Sequence, residues 1–91
     1  MSAESIESWA LAAGEALSSR RLRLATAESC TDGWIAKVLT DIPGSSGWFE
    51  RGWVTYSNAA KEQDLGVPAD LLLTHGAVSG EVVTAMALGA L

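Results

Sequence analysis

The chain is poor in the residues that metal and disulfide chemistry needs. It has one cysteine, Cys30, and one histidine, His75. A single thiol closes no internal disulfide and suits a reducing compartment. One cysteine and one histidine far apart match no zinc-ligand spacing, and neither a Walker loop nor a dinucleotide fingerprint is present. Neither a metal nor another cofactor is therefore expected. Basic residues are scarce too: 6 Lys and Arg stand against 11 Asp and Glu, a formal charge of −5. That balance disfavours nucleic acid and acidic membrane surfaces as partners, since both select a basic face. The basic cluster Arg20-Arg21-Arg23 reads as the solvated entry to a strand. No apolar run approaches the ~20 residues that span a bilayer. Near the amino terminus stand Glu4 and Glu7, not the basic and apolar regions of a secretory signal, so the expected location is the cytoplasm. Repeats, low-complexity tracts and linkers are lacking, which leaves residues 1–91 as one domain.

What is present is a globular composition, 48% hydrophobic and 19% charged. Residues 22–39 organise the rest. Leu22 and Leu24 alternate with Arg21 and Arg23, the pattern of a short strand. Trp34, Ile35, Val38 and Leu39 fall on one face of a helix. Between them Glu28-Ser29-Cys30-Thr31-Asp32-Gly33 forms a tight, polar strand-to-helix turn. Its hydroxyls sit beside free N–H groups at the positive end of a helix, where a phosphate or a developing oxyanion can be held. Asp32 is suited to N-cap that helix, worth about 1 kcal/mol.

The flanking segments support this turn. Residues 4–19 read as an amphipathic helix with Ile6, Trp9, Ala13 and Leu17 on one face, slightly weakened by Gly14. The second helix should stop near Asp41, because Pro43 disfavours helical geometry in the residue before it. Gly44-Ser45-Ser46-Gly47 is then a flexible, hydroxyl-rich loop. Gly52 to Ser57 is a second strand, nearly continuous in apolar and aromatic side chains, as in a strand covered on both faces. Asn58 is placed to cap a helix from Ala59. Lys61 then falls in the first turn, where the dipole and the free N–H groups repel a cation. A surface lysine reaching out to water would explain this plainly; a general base is the sharper alternative. Leu65-Gly66-Val67-Pro68 ends that helix, and residues 69–74 form another, closed by His75-Gly76. His75 suits a capping or structural role better than catalysis. Ser79 caps a last helix with Val82, Val83 and Met86 inward, which reaches Leu91 with no C-cap signal.

Strands followed by helices predict an α/β fold, a layered α/β/α arrangement with a parallel or mixed sheet. Two strands make a poor sheet by themselves, so missing sequence or a partner chain is expected to complete the fold, which is read as truncated after its first half. Its unpaired edge and apolar faces should drive self-association into a homo-oligomer. In a parallel pair Ser29 and Tyr56 end neighbouring strands at the carboxyl edge, where open α/β sheets place active sites. Lys61, one helical turn beyond the second strand, returns to the same edge. A serine hydroxyl is a weak nucleophile that needs such a base, and the N–H groups of Cys30 and Thr31 could hold an oxyanion. His75 has no orienting acid nearby in sequence.

Several stretches, in one order, resemble the C-terminal domain family of the competence/damage-inducible protein CinA, whose members include nicotinamide mononucleotide deamidases. They are Thr-Ala-Glu-Ser-Cys-Thr-x-Gly-Trp at 26–34, Gly-Ser-Ser-x-Trp-Phe at 44–49 and Val-Thr-Tyr-Ser-Asn at 54–58. Lys61, Leu-Gly-Val at 65–67 and His-Gly-Ala-Val-Ser at 75–79 extend the match over almost the whole chain. The resemblance implies hydrolysis of the carboxamide of nicotinamide mononucleotide (NMN), a small-molecule substrate, to nicotinic acid mononucleotide and ammonia, in bacterial pyridine nucleotide recycling. It implies no metal and a serine–lysine pair: Ser29 as nucleophile, Lys61 as general base, and Tyr56 assisting proton transfer or orienting the lysine. Thr31, Gly33, Ser45 and Ser46 would lie near the substrate.

Two departures stand out. Family members continue for a comparable length through a Gly-rich segment and further strands. They also have two glycines after the threonine, where this chain has Asp32-Gly33. A carboxylate there would repel an anionic substrate by about 1–4 kcal/mol at ~4 Å. Both departures keep an alternative open: a non-catalytic fragment or divergent paralogue that serves as an interaction module.

Overall fold

A computed structural model describes residues 3–91. Helix α1 (Ala3–Ser19) leads into strand β1 (Leu24–Glu28), helix α2 (Trp34–Thr40), a 3-10 turn (Ser45–Gly47) and strand β2 (Phe49–Val54); α3 (Asn58–Leu65), α4 (Ala69–His75) and α5 (Gly80–Ala90) follow. β1 and β2 pair in parallel, Thr26 opposite Gly52 and Glu28 opposite Val54, with an irregularity between Leu24 and Ala25. Helices cover both faces, α2 with α1 packed on it to one side and α5 with α3 and α4 to the other. The layered α/β/α expectation holds, with a sheet of two parallel strands.

The core lies on the α5 side. Leu65, Val67, Leu72, Val82 and Met86 form one buried cluster, flanked by Ala27 and Trp53 from the sheet. On the α1 side, Trp48 is buried, and its indole lies so close to Gly14 that a Cβ there would stand 2.8 Å from the ring. Gly14, which the sequence marks only as a weak helix position, is thus the floor of the tryptophan's slot; filling it would overpack the interface by about 1–3 kcal/mol.

Four expectations change. Trp9 is 64% exposed, because Ala10 and Gly14 take the buried stripe of α1. Val83 faces solvent beside the buried Val82 and Met86. β2 begins and ends three residues earlier than the aromatic run suggests, and it is largely exposed, since it has one strand neighbour and partial cover. The hydroxyl-rich loop is an ordered 3-10 turn, held by Ser45 Oγ donating to Thr40 O (3.3 Å) and by Arg23 reaching Ser46 O, Gly47 O and Phe49 O (3.3–3.4 Å). Three expected helix boundaries hold. Asp41 closes α2, Gly66 in the left-handed region closes α3, and Ser79 Oγ accepts from Val82 N–H at the start of α5. Among the described residues no helix is long and apolar enough to cross a membrane.

Candidate active site at the carboxyl edge of the sheet

β1 ends on Glu28, and the chain turns through Ser29 to Gly33 into α2. The turn needs two successive left-handed residues, Asp32 (φ 54°) and Gly33 (φ 90°). Glycine accepts this without strain; aspartate is among the residues that tolerate it best. Gly33, not Asp32, occupies the N-cap of α2, and no cap hydrogen bond comes from its side chain. Asp32 is left-handed and exposed, a geometry unlike the extended backbone of an N-cap.

The capping is done from the strand. Glu28 Oε1 accepts from Thr31 Oγ1 (2.7 Å) and Ile35 N–H (2.8 Å), and Oε2 accepts from Ala36 N–H (2.9 Å). Glu28 is only 3% exposed. Burial alone would raise its pKa, but the hydrogen bonds from Ala36 N–H, the Thr31 hydroxyl, Ile35 N–H and Gly33 N–H outweigh it and hold the carboxyl below its ordinary value. The first N–H groups of α2 are therefore not free, which corrects the view of this helix end as a phosphate cradle. The N–H groups of Cys30 and Thr31 precede the helix and donate to nothing among the described residues.

The second strand brings in the amine. Thr55 N–H donates to Glu28 O (2.9 Å), locking the two strand ends side by side. Ser57, not Asn58, caps α3, its Oγ accepting from Ala60 N–H (3.0 Å). The earlier cap moves Lys61 one position further into the helix and turns it inward. Lys61 is 2% exposed, so it is no surface lysine. Its Nζ donates to Tyr56 O (3.1 Å), and no carboxylate pairs with it among the described residues.

Ser29 and Lys61 thus share the carboxyl edge but make no hydrogen bond to each other. The Ser29 hydroxyl is half-buried and unpartnered. Tyr56 meets the lysine only through its backbone carbonyl, which accepts from Lys61 Nζ; its ring is 74% exposed. Thr31 spends its hydroxyl on Glu28. Ser45 and Ser46 sit before β2, at the amino edge, about 13 Å of strand away from Ser29. This chain does not bring them together with Ser29. Cys30 is exposed. His75 lies 3.7 Å from Glu81 at the end of α4.

Three clefts lie elsewhere. One of about 410 Å³ and one of about 250 Å³ are formed between α1 and α2, around Ile6, Trp34 and Val38. One of about 800 Å³ lies against the sheet face beside Trp53, Arg51 and Leu91. Neither Ser29 nor Lys61 lines any of them. Among the described residues no cluster of His, Cys, Asp and Glu is placed to hold a metal ion.

Glu28 is the residue of the turn to which sequence reasoning gave no role. A glutamate opening a polar turn carries no capping pattern of its own, and only its distance to Ile35 and Ala36 reveals what it holds.

Known proteins place this architecture. The model of the CinA C-terminal domain family matches residues 6–91. The nicotinamide-nucleotide amidohydrolase PncC of Escherichia coli strain K12 is 63% identical over 78 residues, covering 86% of this chain and 47% of that protein. A CinA-like protein of Akkermansia muciniphila is 60% identical over 75 residues, covering 82% of this chain and 18% of that protein. The crystal structure of competence/damage inducible protein CihA from Agrobacterium tumefaciens superposes with a TM-score of 0.91 at 47% identity, covering 93% of this chain and 52% of that one. The chain spans about half the length of the PncC relative. By sequence and by backbone, the chain belongs to the CinA C-terminal domain family.

Proposed function

We propose that this chain carries the nucleophile and base of a nicotinamide-nucleotide amidohydrolase, which converts NMN and water to nicotinic acid mononucleotide and ammonia. The carrying observation is Lys61: a buried lysine without a carboxylate partner, held by one backbone carbonyl at the strand edge that also presents Ser29. A buried ammonium with one acceptor is costly, and an amine at an active edge is useful. The relatives named nicotinamide-nucleotide amidohydrolase support the substrate.

In this mechanism Ser29 Oγ attacks the carboxamide carbon while Lys61 takes its proton. The N–H groups of Cys30 and Thr31 stabilise the oxyanion. Ammonia leaves with a proton returned by Lys61, and water then releases the acid from the serine ester. Gly33 keeps the backbone near the substrate free of a side chain. The reaction fits pyridine nucleotide recycling in a bacterial cytoplasm.

The domain at residues 1–91 is read as the amino-terminal portion of the family domain. Exposed apolar residues on several faces, Trp34, Leu73, Val78 and Leu88 among them, support a homo-oligomer; light scattering that shows only monomer at micromolar concentration would remove that part. That neither Ser29 nor Lys61 lines any of these three clefts favours a second reading, an interaction module without turnover. Ammonia release from NMN decides between them. Activity abolished by Ser29→Ala, a loss of roughly 10⁴-fold or more, supports the enzyme. No release by the wild-type chain supports the module.

A further inference from the structure

We propose that Glu28 is the positioning residue of this site: locked onto Thr31, Ile35 and Ala36, its carboxylate holds the Ser29–Gly33 turn in the one shape that presents the serine hydroxyl and the Cys30 and Thr31 amides. This inference rests on Ser29 being the nucleophile.

The turn would be loose without such a strap. It contains two left-handed residues in succession, one of them Asp32, and no other side chain ties it to its surroundings among the described residues. Glu28 bridges it from end to end. Its three bonds of 2.7–2.9 Å reach the middle of the turn at Thr31 and the far side at Ile35 and Ala36. Hydrogen bonds to an ionised carboxylate are the stronger kind. The same residue is fixed from behind, since Glu28 O accepts from Thr55 N–H (2.9 Å). One residue therefore joins β1, β2, the turn and α2.

The arrangement also excludes other roles. A carboxylate that already accepts three short hydrogen bonds is a poor acceptor for the serine proton. Thr31, expected at the substrate, is half of the strap, because its hydroxyl points back to Glu28. What Glu28 leaves unused is the functional part: the Ser29 hydroxyl and the Cys30 and Thr31 amides. Preorganised donors act only if they are held still, and displacement by about 1 Å can cost 10²-fold in rate.

The test measures Ser29 reactivity without relying on NMN. An alkyl fluorophosphonate phosphonylates an activated serine: the Oγ–P bond forms, P–F breaks, and the proton leaves through the base with fluoride. Labelling of this chain is followed by intact mass, with Ser29→Ala as the blank. Far-UV circular dichroism verifies that each variant is folded at the assay temperature. Glu28→Gln, which sets an amide N–H₂ against Ala36 N–H, and Thr31→Val should each slow labelling roughly 10- to 100-fold. Thr31→Ser, which keeps the hydroxyl, should restore the wild-type rate. A merely structural strap would lower melting temperatures and leave the rate of the folded protein unchanged. Should Glu28→Gln not fold, the Thr31→Val and Thr31→Ser pair decides. Folded Glu28→Gln or Thr31→Val labelling at the wild-type rate overturns the inference. A wild-type chain that is not labelled at Ser29 overturns the nucleophile assignment itself, and this inference with it.

Discussion

Glu28 and Lys61 are buried to nearly the same degree at the same end of the sheet, 3% and 2% exposed, and they are treated in opposite ways. The glutamate accepts three short hydrogen bonds; the lysine donates one, to a backbone carbonyl, and meets no carboxylate among the described residues. A satisfied buried charge is part of the scaffold. An unsatisfied one works against stability and calls for another explanation, since buried polar groups in native proteins are normally paired. The contrast sorts the two residues before any substrate is considered: Glu28 is tied into the scaffold, and the thin pairing of Lys61 is what the proposed role as base would account for.

The contrast can be broken most sharply at the lysine. Lys61→Met keeps length and removes charge. Ammonia release from NMN should fall by roughly 10²- to 10⁴-fold, the share of a general base. The thermal midpoint should stay level or rise, because a buried, poorly paired charge is replaced by an apolar chain. A large drop in midpoint would put Lys61 in the same structural class as Glu28. The next largest effect belongs to Glu28→Ala, which strands the Ile35 and Ala36 N–H groups and should cost about 2–3 kcal/mol in urea unfolding. A loss below about 0.5 kcal/mol would dissolve the distinction from the other side.

A subtler check uses acid. Because the folded-state pKa of Glu28 lies below its ordinary 4.5, its contribution is complete above that value. It should be lost progressively as the pH falls below 4.5 and through the folded-state value. The wild type should therefore lose more stability than Glu28→Gln on acidification through that window, and parallel curves would contradict the assignment.

Much of this arrangement was legible in the residues, and the failures share a cause. The strand–turn–helix expected at 22–39 and found at 24–40, the cap at Ser79 and the closing glycines declare themselves through local rules, although Arg21 (left-handed), Leu22 and Arg23 lie before the strand and not in it. What was misplaced depends on partners distant in sequence. Trp9 has helical periodicity on its side, yet Trp48 claims the stripe of α1 that bears Gly14. The start of β2 follows its pairing with Leu24, not its own aromatic content. Asn58 and Ser57 are both fair caps by residue type, and it is Ser57 that has the extended backbone and accepts from Ala60 N–H. Ser29 and Lys61 were paired in the sequence because strand ends of a parallel pair must meet, and the fold sets both at that edge. Ser45 and Ser46 were drawn in by resemblance alone, and the fold sets them at the other end of the sheet.

The parallel pairing has a consequence in time as well as in space. Two antiparallel strands can zip from a short hairpin, but β1 can find β2 only after the intervening helix and 3-10 turn have closed a long loop. A growing chain that has emerged only as far as α2 carries Ser29 yet has no edge on which to hold it. The bond from Thr55 N–H to Glu28 O and the amine of Lys61 arrive together, later, from the same stretch. Ser29, the proposed nucleophile, is thus among the earlier groups to be synthesised and among the later ones to be held in place.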